Sequence, residues 1–369
     1  MPNPALVRSS RWLGRARLVA TLAQTWWRRP ATPTRVVLDL TRRCNLRCAM
    51  CRTWARPGRE ELTATEIGAV LGRFDQLCWL DLTGGEPFVR SDLGEVFAAV
   101  VDAVPGLAVL HFQTNGWFVD RVVEHTRRLR ARLDAGVELI VTVSIDGPPQ
   151  VHDEIRGRAG SYARAVETAR RLREIAGVDV HVGTTLTQRN CEAVEQTWLA
   201  LTADIPGLSR ARWHFNAMQL SGHFYDNAAL GGLRAAVAEP VAGQLRARGL
   251  PHSMTELMES VYLINLAFVQ RGEPSGIPCQ ALRSTMFVSP EGDVYPCHLY
   301  DRPLGNVREH DVIELWHSAA VAEARRDIEK LACGGCFSAC EAYPAIAGAP
   351  IEALRATTRR AWTLLRERD

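Results

Sequence analysis

Long apolar runs are missing from this chain of 369 residues, and none approaches the roughly 18 residues that a membrane-spanning helix needs. Net charge is nearly missing too. The 44 basic and 41 acidic side chains leave +3 at neutral pH, which makes no electrostatic case for nucleic acid or another polyanion. Lysine occurs once, at Lys330, and the preference for arginine reads as codon bias rather than phosphate recognition. There is no repeat of solenoid type and no signal peptide. Ten cysteines in a chain of this size do not suit a secreted disulfide framework, and their clustering at metal spacings makes a reducing cytosol the expected compartment.

What is present is an ordinary 47% of apolar residues, enough for a sizeable core. The length exceeds one usual domain, and an α/β barrel of about 200–250 residues with a smaller partner is the natural division. The first 35 residues stand apart. Arg8, Arg11, Arg15, Arg17, Arg28 and Arg29 fall there, and the first acid is Asp39. Trp12, Ala16, Val19, Ala23 and Trp26 recur at helical steps. Two readings are open: a basic helix over residues 8–29 in peripheral contact with an anionic membrane, or a helix packed outside the barrel with its arginines solvated.

From residue 36 to 271, strand-like runs alternate with helical ones. The strands are expected at Val36–Thr41, Cys78–Thr83, Ala108–Thr114, Glu138–Ile145, Asp179–Leu186 and Arg212–Gln219. Helices are expected at Thr65–Phe74, Asp92–Val104, Val119–Leu133, Ser161–Ala176 and Ala193–Leu201. Such alternation predicts a parallel α/β sheet curled into a partial (β/α)6 TIM-like barrel, with functional loops at the carboxyl ends of its strands. Ser221 to Pro251 is less patterned, and Glu256 to Val269 is helical in pattern. A small cysteine-rich domain is expected at 272–345 and a closing helix at 346–369, with Leu354, Trp362 and Leu365 on its apolar side.

The first strand leads into Cys44-Asn45-Leu46-Arg47-Cys48-Ala49-Met50-Cys51. Three thiolates at CxxxCxxC spacing can hold three irons of a 4Fe–4S cluster and leave the fourth open for chemistry. Zinc is the alternative, but it wants four ligands and no fourth lies close in sequence. After the second strand comes Thr83-Gly84-Gly85-Glu86-Pro87, where two glycines let backbone approach a ligand and Glu86 offers a carboxylate to an ammonium group. Gln113-Thr114-Asn115-Gly116 follows the third strand, and Ser144-Ile145-Asp146-Gly147-Pro148 follows the fourth.

In these motifs, in this order, the chain resembles the radical S-adenosylmethionine (SAM) superfamily over about half its length. The resemblance implies that Cys44, Cys48 and Cys51 ligate a 4Fe–4S cluster whose open iron chelates SAM. It implies that Glu86, with the backbone of Gly84 and Gly85, holds the amino group and that Met50 packs near the adenine. Ser144 would reach the ribose, Arg156 would pair with the SAM carboxylate, and Asn115 would touch SAM or act as a turn former.

Farther on, Cys279 precedes Gly292 and Cys297, and Cys333, Cys336 and Cys340 follow. Paired CxxC spacing reads as a metal site, with structural zinc as the alternative to iron–sulfur. The pattern resembles a SPASM/twitch extension with five cysteines where a full SPASM has seven. One auxiliary 4Fe–4S cluster on Cys279, Cys297, Cys333 and Cys336 is expected, with Cys340 replacing a ligand or spare. The resemblance implies a radical enzyme that modifies a peptide or protein. A small metabolite, sugar or lipid is the alternative substrate, and a flavodoxin or ferredoxin would be the reducing partner. Glu86 and its glycines argue against a non-catalytic iron–sulfur or zinc protein.

Overall fold

The structure is a computed structural model that describes residue 18 and residues 20–56, 58–230, 235–331 and 335–366. Its centre is a sheet whose strands are β1 (Arg35–Asp39), β2 (Trp79–Thr83), β3 (Val109–Thr114), β4 (Glu138–Ser144), β5 (Val178–Leu186) and β6 (Trp213–Ala217). All six pair in parallel, in sequence order, within two residues of the expected ends. The helices between them are α1 (Ala64–Leu71), α2 (Leu93–Ala103), α3 (Val119–Arg132), α4 (Pro149–Arg156), α5 (Ser161–Arg173) and α6 (Val194–Asp204). Alternate residues of β4, Leu139, Val141 and Val143, are fully buried, and their strand neighbours are only partly so. One side of the sheet is therefore a dry helix-packed core, and the other carries polar side chains.

Helix α4 was not expected, because its eight residues offer only Val151 and Ile155 as a helical apolar pair. It forms through its ends. Pro149 occupies the first turn, where a missing N–H costs nothing, and Gly157 closes it in the left-handed conformation at φ 67°.

The cysteine-rich half is not a separate layer. Strand β7 (Thr285–Val288) pairs in parallel with β1, and β8 (Asp293–Tyr295) and β9 (Gly305–Asn306) continue antiparallel. The result is one nine-stranded sheet in the order β6-β5-β4-β3-β2-β1-β7-β8-β9, open at β6 and β9. The expected division near residue 272 thus falls inside a continuous sheet, because β7 covers an edge of β1 that would otherwise expose unpaired backbone. A turn over Pro290–Asp293 joins β7 to β8, with Gly292 at φ 89°.

Beyond β6, the less patterned segment contains α7 (Ala238–Arg248), followed by α8 (Met254–Gln270). The remaining helices are α9 (Val312–His317), α10 (Ala319–Glu329), α11 (Ala339–Gly348) and α12 (Pro350–Arg366). Helix α12 turns a different face inward from the expected one. Ala353, Ala356, Arg360 and Leu364 are buried, whereas Leu354 and Trp362 are 68% and 63% exposed. Small residues let α12 approach α8, where Thr357 bonds Asn265 at 2.9 Å, and Arg360 donates to the Ser275 and Pro274 carbonyls at 2.8 and 2.5 Å. The side chain of Leu365 lies outside the described residues.

Of the amino-terminal segment, Arg8, Arg11, Trp12, Arg15, Ala16, Arg17 and Val19 lie outside the described residues. Farther along, Trp26 donates from Nε1 to the Ala347 carbonyl at 2.7 Å, and the Arg29 guanidinium stacks 4.6 Å from the Trp316 ring. Those two residues pack on the carboxyl-terminal helices. No helix among the described residues is long and apolar enough to cross a membrane.

On the polar side of the sheet lies a buried chain of hydrogen bonds. Arg35 donates to Asp81 at 2.7 Å, the other Asp81 oxygen meets His111 Nδ1 at 2.8 Å, and His111 Nε2 meets Thr142 at 3.0 Å. Burial alone would raise the Asp81 carboxyl, but Arg35 and His111 outweigh it and hold it below its usual range.

Candidate active site

The three-thiol loop begins just past β1 and is clamped by main-chain bonds. Ala49 N donates to the Ile155 carbonyl at 2.8 Å and Arg47 N to the Arg156 carbonyl at 3.2 Å, so the loop rests on the carboxyl end of α4. Arg52 N reaches the Tyr225 carbonyl at 2.8 Å, and Arg42 grips Glu291 at 2.7 and 3.0 Å, tying the loop to the β7–β8 hairpin. A Cβ at Gly157 would stand 2.5 Å from the Arg47 carbonyl, in a backbone conformation that L-residues avoid. Gly157→Ala should therefore cost about 1–3 kcal/mol and displace the loop. A lower melting temperature together with reduced iron uptake is the expected result.

Gly84 and Gly85 are glycines for a reason nearer than any ligand. A Cβ at Gly84, whose φ is 143°, would lie 2.7 Å from the Thr41 carbonyl and 2.8 Å from Asp39 Oδ1. Gly85 N donates to that Thr41 carbonyl at 2.7 Å and Glu86 N to the Arg43 carbonyl at 2.9 Å. The loop after β2 is thus laid against the loop after β1.

A cavity of about 160 Å³ opens at the carboxyl ends of the strands. Cys44, Cys48, Met50 and Cys51 line it, as do Gly84, Gly85, Asn115, Ser144 and Arg156, so most of the expected site residues share one space. The sheet adds a polar rim beside Ser144: Thr83 and Gln113, which stand in the quoted motifs without an assigned role, and Thr185 and Asn216, which motif reading missed. Each is the last or next-to-last residue of β2 to β6 and alternates with core residues, so the period-two pattern carries the signal that could have found them. Met218, Tyr225 and His298 complete the wall from the other side and belong to no motif.

Glu86 is placed differently from the expectation. It is fully buried and does not line the cavity. One carboxylate oxygen accepts from Thr114 Oγ1 at 2.8 Å and Phe88 N at 3.3 Å, and the other from Asn115 N at 2.7 Å. It organises the loop after β3, whose Asn115 in turn donates to Asn45 at 2.9 Å. Burial pushes the Glu86 carboxyl up to about 7, and its three donors only partly offset that. A raised native pKa means stability present at low pH is lost as pH climbs from the unfolded value through about 7. Glu86→Gln should remove that loss, worth roughly 3 kcal/mol for a group this buried. Melting curves of the two metal-free proteins, indistinguishable in their dependence between pH 5 and 8, would count against it.

Arg156 is buried, not solvated. Its Nε pairs with Asp146 at 2.7 Å, and Nη1 lies 3.8 Å from Cys48 Sγ. Asn115 Nδ2 lies 4.0 Å from Cys44 Sγ. Burial pushes the Cys44 thiol up to about 12, and the neighbouring Cys48, Glu86 and Cys51 add to the rise while the Leu46 amide opposes it. Burying such a set is unfavourable unless a cation neutralises it. An iron–sulfur cluster does so, and Arg156 and Asn115 supply the N–H donors that ligating thiolates use. The residues fit the group.

A second cavity, of about 380 Å³, lies beside the first and shares Met218 and Gln219 with it. Cys279, Cys297 and Cys336 line it together with Glu341. Burial pushes the Cys297 thiol well up, with Glu341, Cys336 and Cys279 adding to the rise, so these three thiols are neighbours. Cys333 lies outside the described residues. Cys340 lines the first cavity, not the second.

Comparison with known proteins finds two family matches in the chain. Residues 38–195 match the radical SAM superfamily, and residues 279–340 match the SPASM iron-sulfur cluster-binding domain. The AdoMet-dependent heme synthase of Methanosarcina barkeri is 29% identical over 352 residues, covering 88% of this chain and 93% of that protein. The antilisterial bacteriocin subtilosin biosynthesis protein AlbA of Bacillus subtilis is 27% identical, covering 83% and 67%. Among solved structures, Streptococcus suis SuiB bound to precursor peptide SuiA superposes with a TM-score of 0.60 at 16% identity, covering 88% of this chain and 75% of that one. The last likeness concerns the fold.

Proposed function

The chain is a radical SAM enzyme with a carboxyl-terminal SPASM domain, and from that premise we propose that it modifies a peptide at an unactivated carbon. The observation that carries the reading is the single cavity where three thiols meet Gly84, Gly85 and the polar strand ends. When bound, the 4Fe–4S cluster supplies the electron that splits SAM into methionine and a 5′-deoxyadenosyl radical, which takes a hydrogen atom from substrate. The protein's own part is positional. Cys44, Cys48 and Cys51 hold the cluster, and Arg156 and Asn115 donate to two of the thiolates. Gly84 and Gly85 would offer backbone to the SAM amino group, Met50 would pack on its adenine and Ser144 would reach its ribose, all four residues lining the cavity. The walls at Met218, Tyr225 and His298 keep the reacting carbon close and water away.

A peptide substrate draws its support from the bacteriocin biosynthesis protein and from the fold shared with a precursor-peptide complex. The second reading, a small metabolite, is favoured by the match to nearly the whole length of a heme synthase. The test is mass spectrometry after anaerobic incubation of the reconstituted enzyme with SAM, dithionite and a deuterated peptide pool. Deuterium in 5′-deoxyadenosine, with a mass change in one peptide, is expected. No transfer from the peptides, with transfer from a deuterated tetrapyrrole supplied in a parallel incubation, would overturn the peptide assignment.

A further inference from the structure

A further cavity, of about 240 Å³, lies beside the auxiliary thiols. It shares Cys279, Ala281 and Ile328 with the auxiliary cavity, so those residues form the wall between the two. None of its residues lines the radical cavity. Arg283 and Arg325 line it, together with the first turn of α12 at Pro350, Ile351 and Glu352. Arg325 Nη1 is buried and has no hydrogen-bond partner. Arg283 donates to the Thr25 and Trp26 carbonyls at 3.0 and 3.4 Å, bonds that leave its charge unneutralised. Arg29 stands close by. Burial pushes its guanidinium down to about 10, and the charge of Arg325 adds to the fall. No acid pairs with any of the three among the described residues. Glu329 and Glu352 also line the cavity, but both are exposed. Ala349, the residue before α12, has no side-chain oxygen to cap the first N–H groups of that helix. Guanidinium groups crowded without a carboxylate repel one another, and a buried N–H left unmet is costly unless a ligand meets it. An anion in the cavity answers both.

We propose that this cavity, with Arg325 and the start of α12 on its wall, binds a carboxylate carried on an apolar body. The planar fork of Arg325 matches a carboxylate, and the N-terminus of α12 favours negative charge. Trp26, Ile328 and Ile351 supply apolar wall, with Trp26 44% and Ile351 59% exposed. Inorganic phosphate has the charge but nothing to lay against that wall. The cavity is separate from the radical cavity, so a ligand held here is held away from the reacting carbon. On the peptide reading above, it is a docking point for a part of the substrate that does not react. Binding itself does not rest on that reading.

Anaerobic calorimetry on the reconstituted holoenzyme, without SAM, tests it with N-acetylphenylalanine, its neutral amide and inorganic phosphate as probes. The acid should bind, and the amide should not. Arg325→Met keeps the stem of the side chain and should weaken the acid about tenfold or more, with iron content unchanged. Glu329→Gln removes an opposing charge from the cavity and should tighten the acid, a gain that a misfolded variant cannot imitate. No binding of the acid by wild type, or acid and amide binding alike, would overturn the proposal. So would an affinity unmoved by Arg325→Met, or no gain from Glu329→Gln. Phosphate binding tighter than the acid would make this a phosphate site and end the carboxylate assignment. Because SAM is absent, failure of the radical chemistry leaves this result standing, and failure here leaves that chemistry standing.

Discussion

Alanine at Cys44, Cys48 and Cys51 together should abolish 5′-deoxyadenosine formation and leave about four irons per chain where the reconstituted wild type holds about eight. The two sets of thiols line different cavities, so losing one leaves the other able to load. The fold should survive, because main-chain bonds to Ile155 and Arg156 and the Arg42–Glu291 pair hold the loop without the sulfurs. Cys78 and Cys191 are the controls. Both are buried away from either cavity, and Cys78 Sγ sits 3.5 Å from the Thr34 carbonyl. Alanine there should lower stability by about 1–2 kcal/mol without changing iron content. Iron assays on the triple variant showing no iron, or all of it, would contradict the two-site division.

Asp81→Ala should destabilise the protein by about 3–5 kcal/mol, among the largest single effects in the chain, because it strands a buried guanidinium. Arg35 is 2% exposed, and the Arg35–Asp81 ion pair at 2.7 Å is what neutralises it. His111 loses its Nδ1 partner in the same substitution. Replacing both members with apolar residues, Arg35→Met with Asp81→Leu, should recover most of the loss, since the penalty arises from the unpaired charge. Urea unfolding of the single and double variants decides the matter: equal destabilisation in both would mean that packing, and not charge, is at stake.

The contrast between Arg35 and the strand beside it shows where sequence reading succeeds. Val36 to Leu40 is apolar enough to mark a strand from composition alone. The expected strand starts at Val36, which leaves Arg35 just outside it. Only the pairing Arg35↔Trp79, which sets Asp81 across from Val37 and within reach, shows that it is interior. Glu86 makes the same point for the site. Its motif placed it correctly at the end of β2, but its side-chain direction depends on the loop after β3, twenty-eight residues away. Cys340 is the sharpest case. Its spacing from Cys336 grouped it with the auxiliary thiols, and its helix position turns it toward the other cavity.

The proposed function stands on Cys44, Cys48 and Cys51 carrying a cluster whose open iron acts on SAM. The most direct measurement uses protein reconstituted anaerobically to about eight irons per chain, incubated with SAM and dithionite, with the products separated chromatographically. Methionine and 5′-deoxyadenosine in equal amounts are predicted; fully loaded protein that leaves SAM intact would contradict the claim.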